Sequence, residues 1–363
     1  MKDSYGLAAP CGMAFSVFSK MPERISIRDL AEKLGVSHTT VSLALRNSPR
    51  IAEATRRRIC AEAKRLGYHP DTVVSNLMAR LRTLRTTSAR ETIGFITAWP
   101  SRAAWRGSAN HARFFEGCRR HAGALGYNLD EFWLNEPGMT SRRMSSILLA
   151  RGIRGLVLLS LPTPEGKLAL DWKHFICVTK GLTVRHPPVH RVISSHYEDM
   201  QVAMAQLKRR GYRRIGLVLG ETLSERVDRA WLASYLLHNN ERAPEHRVPA
   251  LITRSPSEEQ DFARWYRLHQ PEVILFSEQP MRRWVESLGL HVPNDVGLVH
   301  LDWSTAIAPL AGIDSDPEVQ GEAAIDLLVG QMQANEYGVP KHEKIIAVRG
   351  RWVPGASIRK IGA

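Results

Sequence analysis

Beyond residue 91 the chain returns five times to one device, a short and nearly unbroken apolar run closed by a polar or turn residue. The runs are TIGFITAW (92–99), GLVLLSL (155–161), RIGLVLG (214–220), EVILFS (272–277) and VGLVHLD (296–302). Buried parallel strands read this way, because helices cover both faces of their sheet and leave no polar face. Helical stretches such as Arg113–Leu125 and Glu198–Arg210 lie between them, and Gly126-Tyr127 and Gly211-Tyr212 mark their ends. The alternation predicts a doubly wound α/β architecture. At roughly 260 residues the segment is large for one such sheet, so two Rossmann-like lobes are expected.

The chain before this segment follows a different period. IRDLAEKLG places Ile27, Leu30, Ala31 and Leu34 at helical spacing, and Gly35 ends the helix. Ser37 then caps a second helix, on which Val36, Val41 and Leu45 form a candidate buried face. ATRRRICAEAKRLGY is a third amphipathic helix, closed by Gly67. The predicted fold is thus an all-α helix-turn-helix headpiece followed by the α/β lobes. The expected divisions are a disordered tail over 1–22, the headpiece over 23–69, a linking segment over 70–91, the α/β core over 92–353 and a C-terminal tail over 354–363. In the linking segment TVVSNLMARLR can form a helix, but one this short is marginal in water and needs a partner to become ordered.

The formal net charge is +14 in 363 residues. About 14 Lys and Arg face 6 Asp and Glu between Glu23 and Arg90, so under a fifth of the chain carries over half of the excess. Clustered positive charge points to a polyanion, nucleic acid first and an anionic membrane surface second. Cys11, Cys60, Cys118 and Cys177 show no C-x-x-C spacing, so neither a zinc site nor a disulfide framework is indicated and a reducing cytoplasm fits. No apolar run approaches the ~18 residues of a membrane span. The mildly apolar stretch Leu7–Phe18 is broken by Pro10, Gly12 and Ser16 and lacks the form of an export signal; Met13 or Met21 is a candidate start of the natural chain. No G-x-G-x-x-G, P-loop, G-x-S-x-G or H-E-x-x-H motif is present, and the histidines lack metal-ligand spacing, so neither a cofactor, a metal nor an enzyme is expected.

ISIRDLAEKLGVSHTTVSLALRNSPRIAEATRRRICAEAKRLGYHP resembles the DNA-binding headpiece of the LacI/GalR family of bacterial regulators. Asp29-Leu30-Ala31, Gly35-Val36-Ser37, Thr40-Val41-Ser42, Thr55-Arg56 and Leu66-Gly67-Tyr68 with Pro70 carry the likeness. RGIRGLVLL, LKRRGYRRIGLVLG and VPNDVGLVHLD are similar, more loosely, to the family's effector core, itself of periplasmic-binding-protein type. The resemblance implies that His38, Thr39 and Thr40 meet base edges in the major groove, where short donors and acceptors are needed. Ser26, Ser37, Ser42 and Asn47 are then placed for phosphate oxygens, with Arg46 and Arg50 adding charge. Leu43 departs from the family, which often carries a long polar side chain there. Leucine cannot hydrogen-bond a guanine edge; it can meet a thymine methyl or a sugar, or pack on a neighbouring helix. HPDTVVSNLMARL resembles the family's hinge helix. Leu77 then wedges a minor-groove base step, or serves as a plain linker or dimer contact, with Val73 and Val74 packing between protomers and Arg80, Arg82 and Arg85 along the backbone.

For the lobes, the resemblance implies a small effector, a sugar or a nucleobase metabolite, in the cleft between them. Strand C-terminal ends supply such clefts. They bring forward Trp99 and Ser101, Ser277 and Glu278, and Asp302 and Trp303. Asp302 matches a family position whose carboxylate takes adjacent hydroxyls. Trp99, Trp105 and Trp303 can stack on a pyranose face or simply fill the core. The family's arginine after the LG strand falls on Asp228, flanked by Arg226 and Arg229, and its Asn-Asp pair reads Glu278-Gln279. The expected protein is a cytoplasmic homodimer that binds double-stranded DNA at a pseudo-palindromic operator, most simply as a repressor, under control of a carbohydrate effector. A ligand-binding module or an enzyme of α/β fold is the alternative.

Overall fold

The structure, a computed structural model, describes residues 27–45, 48, 50–66, 68, 90–164, 166–254 and 258–360. The chain divides into two compact units, residues 1–76 and 77–363. Ser26, Arg46, Asn47, Leu77 and Arg80, and with them the expected hinge helix, lie outside the described residues.

In the smaller unit, α1 (Ile27–Leu34), α2 (His38–Leu45) and α3 (Glu53–Arg65) close on one apolar cluster. Leu30, Val41, Ala44 and Ile59 sit at its centre, with Val36 and Leu45 packed against it. The turn between α1 and α2 depends on Gly35, whose φ of +66° is a conformation that other residues adopt only under strain. Val36 N–H reaches back to the Ala31 carbonyl at 3.1 Å and stops α1. Ser37 Oγ accepts the Thr40 N–H at 3.1 Å, the cap expected from sequence, worth about 1 kcal/mol. Arg58 donates to the Leu34 carbonyl at 3.1 Å, so α3 holds the otherwise open end of α1.

The larger unit contains two six-stranded sheets. The strands are β1 (Thr92–Thr97), β2 (Asn128–Trp133), β3 (Gly155–Leu158), β4 (Gly166–Lys167), β5 (Ile176–Lys180), β6 (Val184–His186), β7 (His190–Ser194), β8 (Ile215–Gly220), β9 (Leu251–Thr253), β10 (Val273–Phe276), β11 (Gly297–His300), β12 (Ala311–Asp314), β13 (Ile345–Val348) and β14 (Arg351–Val353). The helices are α4 (Ala109–Ala124), α5 (Ser141–Ala150), α6 (His196–Arg209), α7 (Glu221–Arg226), α8 (Ala230–Asn240), α9 (Glu258–His269), α10 (Met281–Ser287) and α11 (Pro317–Ala334). The N-terminal lobe has the order β13-β7-β5-β3-β1-β2, all parallel. The C-terminal lobe has the order β14-β12-β11-β10-β8-β9, parallel except for β14 against β12. β4 and β6 form a separate pair.

Each sheet is covered on both faces. In the N-terminal lobe α4 and α11 bury Phe114, Cys118, Ile325 and Leu328 against one face, while Met144 and Leu148 of α5 cover the other. In the C-terminal lobe Met200, Leu207, Trp231 and Tyr235 lie on one face and Phe262, Trp265 and Trp284 on the other. α4 and α11 approach so closely that a Cβ on Gly117 would fall 2.2 Å from the Glu318 carbonyl oxygen. The chain passes between lobes three times, from β7 into α6, from β12 into α11 and from β13 into β14. Ser195 N–H donates to the Val348 carbonyl at 2.8 Å and ties the first crossing to the third.

The expected C-terminal tail is not one over 354–360. Pairing of β11 with β12 begins only at Val299, which leaves Leu298 N–H and Ala311 N–H without strand partners. Ser357 supplies them, its carbonyl to Leu298 and its Oγ to Ala311, each at 2.8 Å. Ile358 then joins the apolar core. Among the described residues no helix is long and apolar enough to cross a membrane.

Candidate functional site

Two sites stand out, one in each unit. In the smaller unit α2 turns Val41 and Ala44 inward, so its first turn faces solvent. Ser37, His38 and Thr39 are exposed, Thr40 and Ser42 half-buried, and Arg50 exposed. The Ser37 and Thr40 hydroxyls lie 2.8 Å apart, so Thr40 is oriented by the cap. Leu43 is half-buried yet is not among the residues that pack the headpiece core. Its backbone is committed, with Ser48 N–H donating to its carbonyl at 2.9 Å. An apolar side chain is thereby left on the polar side of the helix.

The second site is a cleft of about 190 Å³ in the larger unit. The C-terminal ends of β1, β3, β5, β10 and β11 deliver Trp99, Ser160, Lys180, Glu278 and Asp302 to it. Asn110 and His111 enter from the start of α4, His196 from the first crossing, Arg226 and Trp231 from around the α7–α8 turn, and Ser315 and Gln320 from the second crossing. Its walls are ordered by hydrogen bonds. Trp99 Nε1 donates to the Ser160 carbonyl at 2.9 Å, and Ser160 Oγ lies 3.0 Å from His111 Nε2. Asn110 Nδ2 donates to Asp302 Oδ1 at 2.6 Å and joins the lobes across the cleft.

Several lining atoms have no partner. Arg226 Nε, Trp231 Nε1, His196 Nδ1 and Gln320 Oε1 are all buried and unpaired. Each such atom costs about 1–3 kcal/mol unless something bonds to it, and all of them belong to residues that line the cleft. Burial, reinforced by the Lys180 charge, holds His111 well below the usual imidazole range. Burial likewise takes His196 down to about 4, against the opposing pull of Asp302. Both rings are therefore neutral near pH 7. Burial lowers Lys180 to about 8, and Asp302 offsets part of that fall.

Residues 26–71 match the model of bacterial regulatory proteins of the lacI family, and residues 204–358 match a periplasmic binding protein-like domain. The chain belongs to the LacI/GalR family of transcriptional regulators. The HTH-type transcriptional repressor PurR of Escherichia coli O1:K1 / APEC is 24% identical over 290 residues, covering 76% of this chain and 80% of the relative. Among solved structures, a transcriptional regulator CelR–cellobiose complex has a TM-score of 0.54 at 18% identity, covering 92% of this chain and 100% of that one. The Lac repressor dimer bound to operator and the anti-inducer ONPF gives 0.52 at 18%, with 92% and 99% covered. The LacI family regulator CCPA from Weissella paramesenteroides with bound glucose gives 0.53 at 15%, with 75% and 100% covered.

Within this LacI/GalR core, Trp99, Arg226, Glu278 and Asp302 line the cleft, as the sequence suggested. Ser101, Trp105, Arg229 and Trp303 do not. Trp105 is buried against Phe95 and Phe115, with its Nε1 held by Glu131 at 3.3 Å. Trp303 donates to the Leu310 carbonyl at 2.8 Å and crowds Gly312, so it serves the β11–β12 corner. Ser101 is exposed. Asp228 and Arg229 both take positive φ, 55° and 56°, and this left-handed corner turns the chain between α7 and α8. It leaves Arg226 facing the cleft, sends Arg229 to Glu225 at 3.1 Å, and pairs Asp228 with Arg185 at 3.3 Å.

Sequence reasoning missed Asn110, His111, Ser160, Lys180, His196, Trp231 and Gln320 as cleft residues. Lys180 was within reach, since it ends ICVTK, a short buried run like the five recognised strands. Others depend on crossings that no local pattern marks. Those crossings are fastened by charge: Arg113 pairs with Asp314 at 2.9 Å and Glu318 at 2.7 Å, and Arg351 with Asp314 at 2.9 Å.

Proposed function

We propose that this regulator is a cytoplasmic, homodimeric repressor that binds a pseudo-palindromic operator and is switched by a small carbohydrate in the interlobe cleft. The observation that carries the DNA half is the first turn of α2, which presents Ser37, His38, Thr39 and Thr40 opposite the buried Val41 and Ala44. The donors and acceptors there suit base edges and phosphate oxygens. Arg50 adds a phosphate contact, with Ser26, Ser42, Arg46 and Asn47 in the same role. Leu77 and Arg80 belong to the hinge segment in this reading, Leu77 as a minor-groove wedge and Arg80 on the backbone. The operator-bound dimer among the solved relatives and the cellobiose and glucose complexes support the assignment.

The effector half rests on the unpaired atoms of the cleft and on Asp302. A ligand with adjacent hydroxyls at Asp302 competes with Asn110, the lobe-to-lobe hydrogen bond. Ligand binding and lobe arrangement are then one equilibrium, and an effector that favours one arrangement shifts DNA affinity by linkage. Turnover is not part of the proposal. Ser160 and His111 stand 3.0 Å apart, but His111 Nδ1 has no carboxylate to orient it, so the pair lacks the third member of a nucleophilic triad.

A titration of the full-length protein against its own upstream region, followed by fluorescence anisotropy across salt, tests the reading. Specific binding should exceed random duplex by about 10³-fold or more and weaken steeply with salt. Equal affinity for both duplexes would overturn it.

A further inference from the structure

We infer that the effector of this regulator is a small polyhydroxylated carboxylate, a sugar acid, and not a neutral sugar. The inference rests on the reading of the cleft as the effector site. Four charged side chains line the cleft, and they are not equally satisfied. Asp302 already accepts Asn110 at 2.6 Å. Glu278 keeps 59% of its side chain exposed and reaches Arg226 only at 3.7 Å. It therefore screens the rim more than the interior.

The cations are the deeper groups. Arg226 is 17% exposed, and its Nε has no acceptor. Lys180 makes no ion pair among the described residues, and its ammonium lies 5.1 Å from the Phe114 ring centroid. Burying a cation without a carboxylate is unfavourable, and the deficit inside this cleft is one negative charge. The other unmet groups agree. Arg226 Nε–H and Trp231 Nε1–H can only donate, so any partner they gain must offer an acceptor oxygen. Asp302 and Gln320 Oε1 accept, so they require hydroxyls.

Charge and size narrow the class further. A phosphate ester carries about −1.5 to −2 at pH 7, more than the single charge the interior lacks when Asp302 is set against Lys180 and Arg226 and Glu278 is left at the rim. A carboxylate supplies the single charge. The cavity, about 190 Å³, lies below the roughly 300–1,000 Å³ of pockets for drug-sized ligands and favours one sugar unit.

Calorimetry with the full-length protein tests this, using D-glucose, D-gluconate, D-glucuronate and glucose 6-phosphate as probes. At least one sugar acid should bind about tenfold or more tightly than glucose. Lys180→Met should erase that advantage without lowering the melting temperature, and Arg226→Gln should reduce it in a second, independent background. Glucose binding as tightly as the acids overturns the inference and leaves the effector cleft standing. Glucose 6-phosphate binding tightest overturns the monoanion assignment, and acid binding unchanged in both variants moves the anion out of the cleft. If none of the four binds protein that still recognises its operator, both the sugar acid and the carbohydrate reading fall, but not the regulator.

Discussion

The first turn of α2 and the interlobe cleft are built by opposite strategies. The headpiece site is local: Ser37, His38, Thr39 and Thr40 are consecutive, and a core as small as Leu30, Val41, Ala44 and Ile59 suffices to aim them. The cleft draws on residues from Trp99 to Gln320, delivered by strand ends in two sheets and by crossings between them. A local site is exposed to the stability of one small core. A distributed site has large cores behind it but depends on the relation between lobes.

The sharpest way to break this contrast is to damage one core and watch both sites. Leu30 is fully buried, and Leu30→Ala should cost about 2–5 kcal/mol, a large share of what so small a unit can hold. DNA binding should be lost while effector binding in the larger unit stays unchanged, as anisotropy and calorimetry on one preparation would show. Loss of both would mean that the units do not fold independently. Next in size is Asp302→Ala, which removes the ligand acceptor and strands Asn110. Effector affinity should fall by about 10- to 100-fold. Trp303→Ala, one residue away but outside the cleft, should lower the melting temperature and leave effector affinity within about twofold.

The same contrast explains what could be read before the fold was known. The helix-turn-helix was legible because helical spacing, the Gly35 turn and the Ser37 cap are local signals. The buried central strands were legible because burial on both faces makes them uniformly apolar, as in β3 and β10. β2 and β13 were not: as edge strands they are half exposed, and NLDEFW carries too much charge to read as a strand. In the cleft, position at a strand end found Trp99, Glu278 and Asp302. It failed for Trp303 because the chain corner there needed a filler for the space over Gly312. It could not find His196 or Gln320, which reach the cleft only because β7 and β12 lead into the other lobe.

Leu43 offers a finer test of the local site. On the polar side of α2 and outside the headpiece core, it should contribute to the operator preference and not to stability. Leu43→Arg can reach a guanine edge, and one good bidentate contact discriminates by about 1–3 kcal/mol. Selection from a randomised duplex pool should therefore show a changed base preference at one position in each half-site, with the melting profile unmoved. An unchanged preference would place Leu43 away from the bases.

The smallest expected effect concerns the crossings that join the lobes. Asp199, at the start of α6, accepts the Gly350 N–H at 2.7 Å across the third crossing, while its Oδ2 is buried and unpaired. Burial pushes this carboxyl up to about 7, against the lowering effect of the Gly350 hydrogen bond. The unfolded value is near 3.8, so the folded state binds the extra proton. The stabilisation this gives is complete below that unfolded value and is lost as pH rises through about 7. The melting temperature of the larger unit should thus decline by a few degrees between about pH 4 and pH 8 on account of this group. Asp199→Asn keeps an oxygen for Gly350 and cannot ionise. It should flatten that decline and leave the variant more stable than the parent at pH 8, as scanning calorimetry at both pH values would detect. A variant with the parent's slope would show that Asp199 does not carry the extra proton in the folded state.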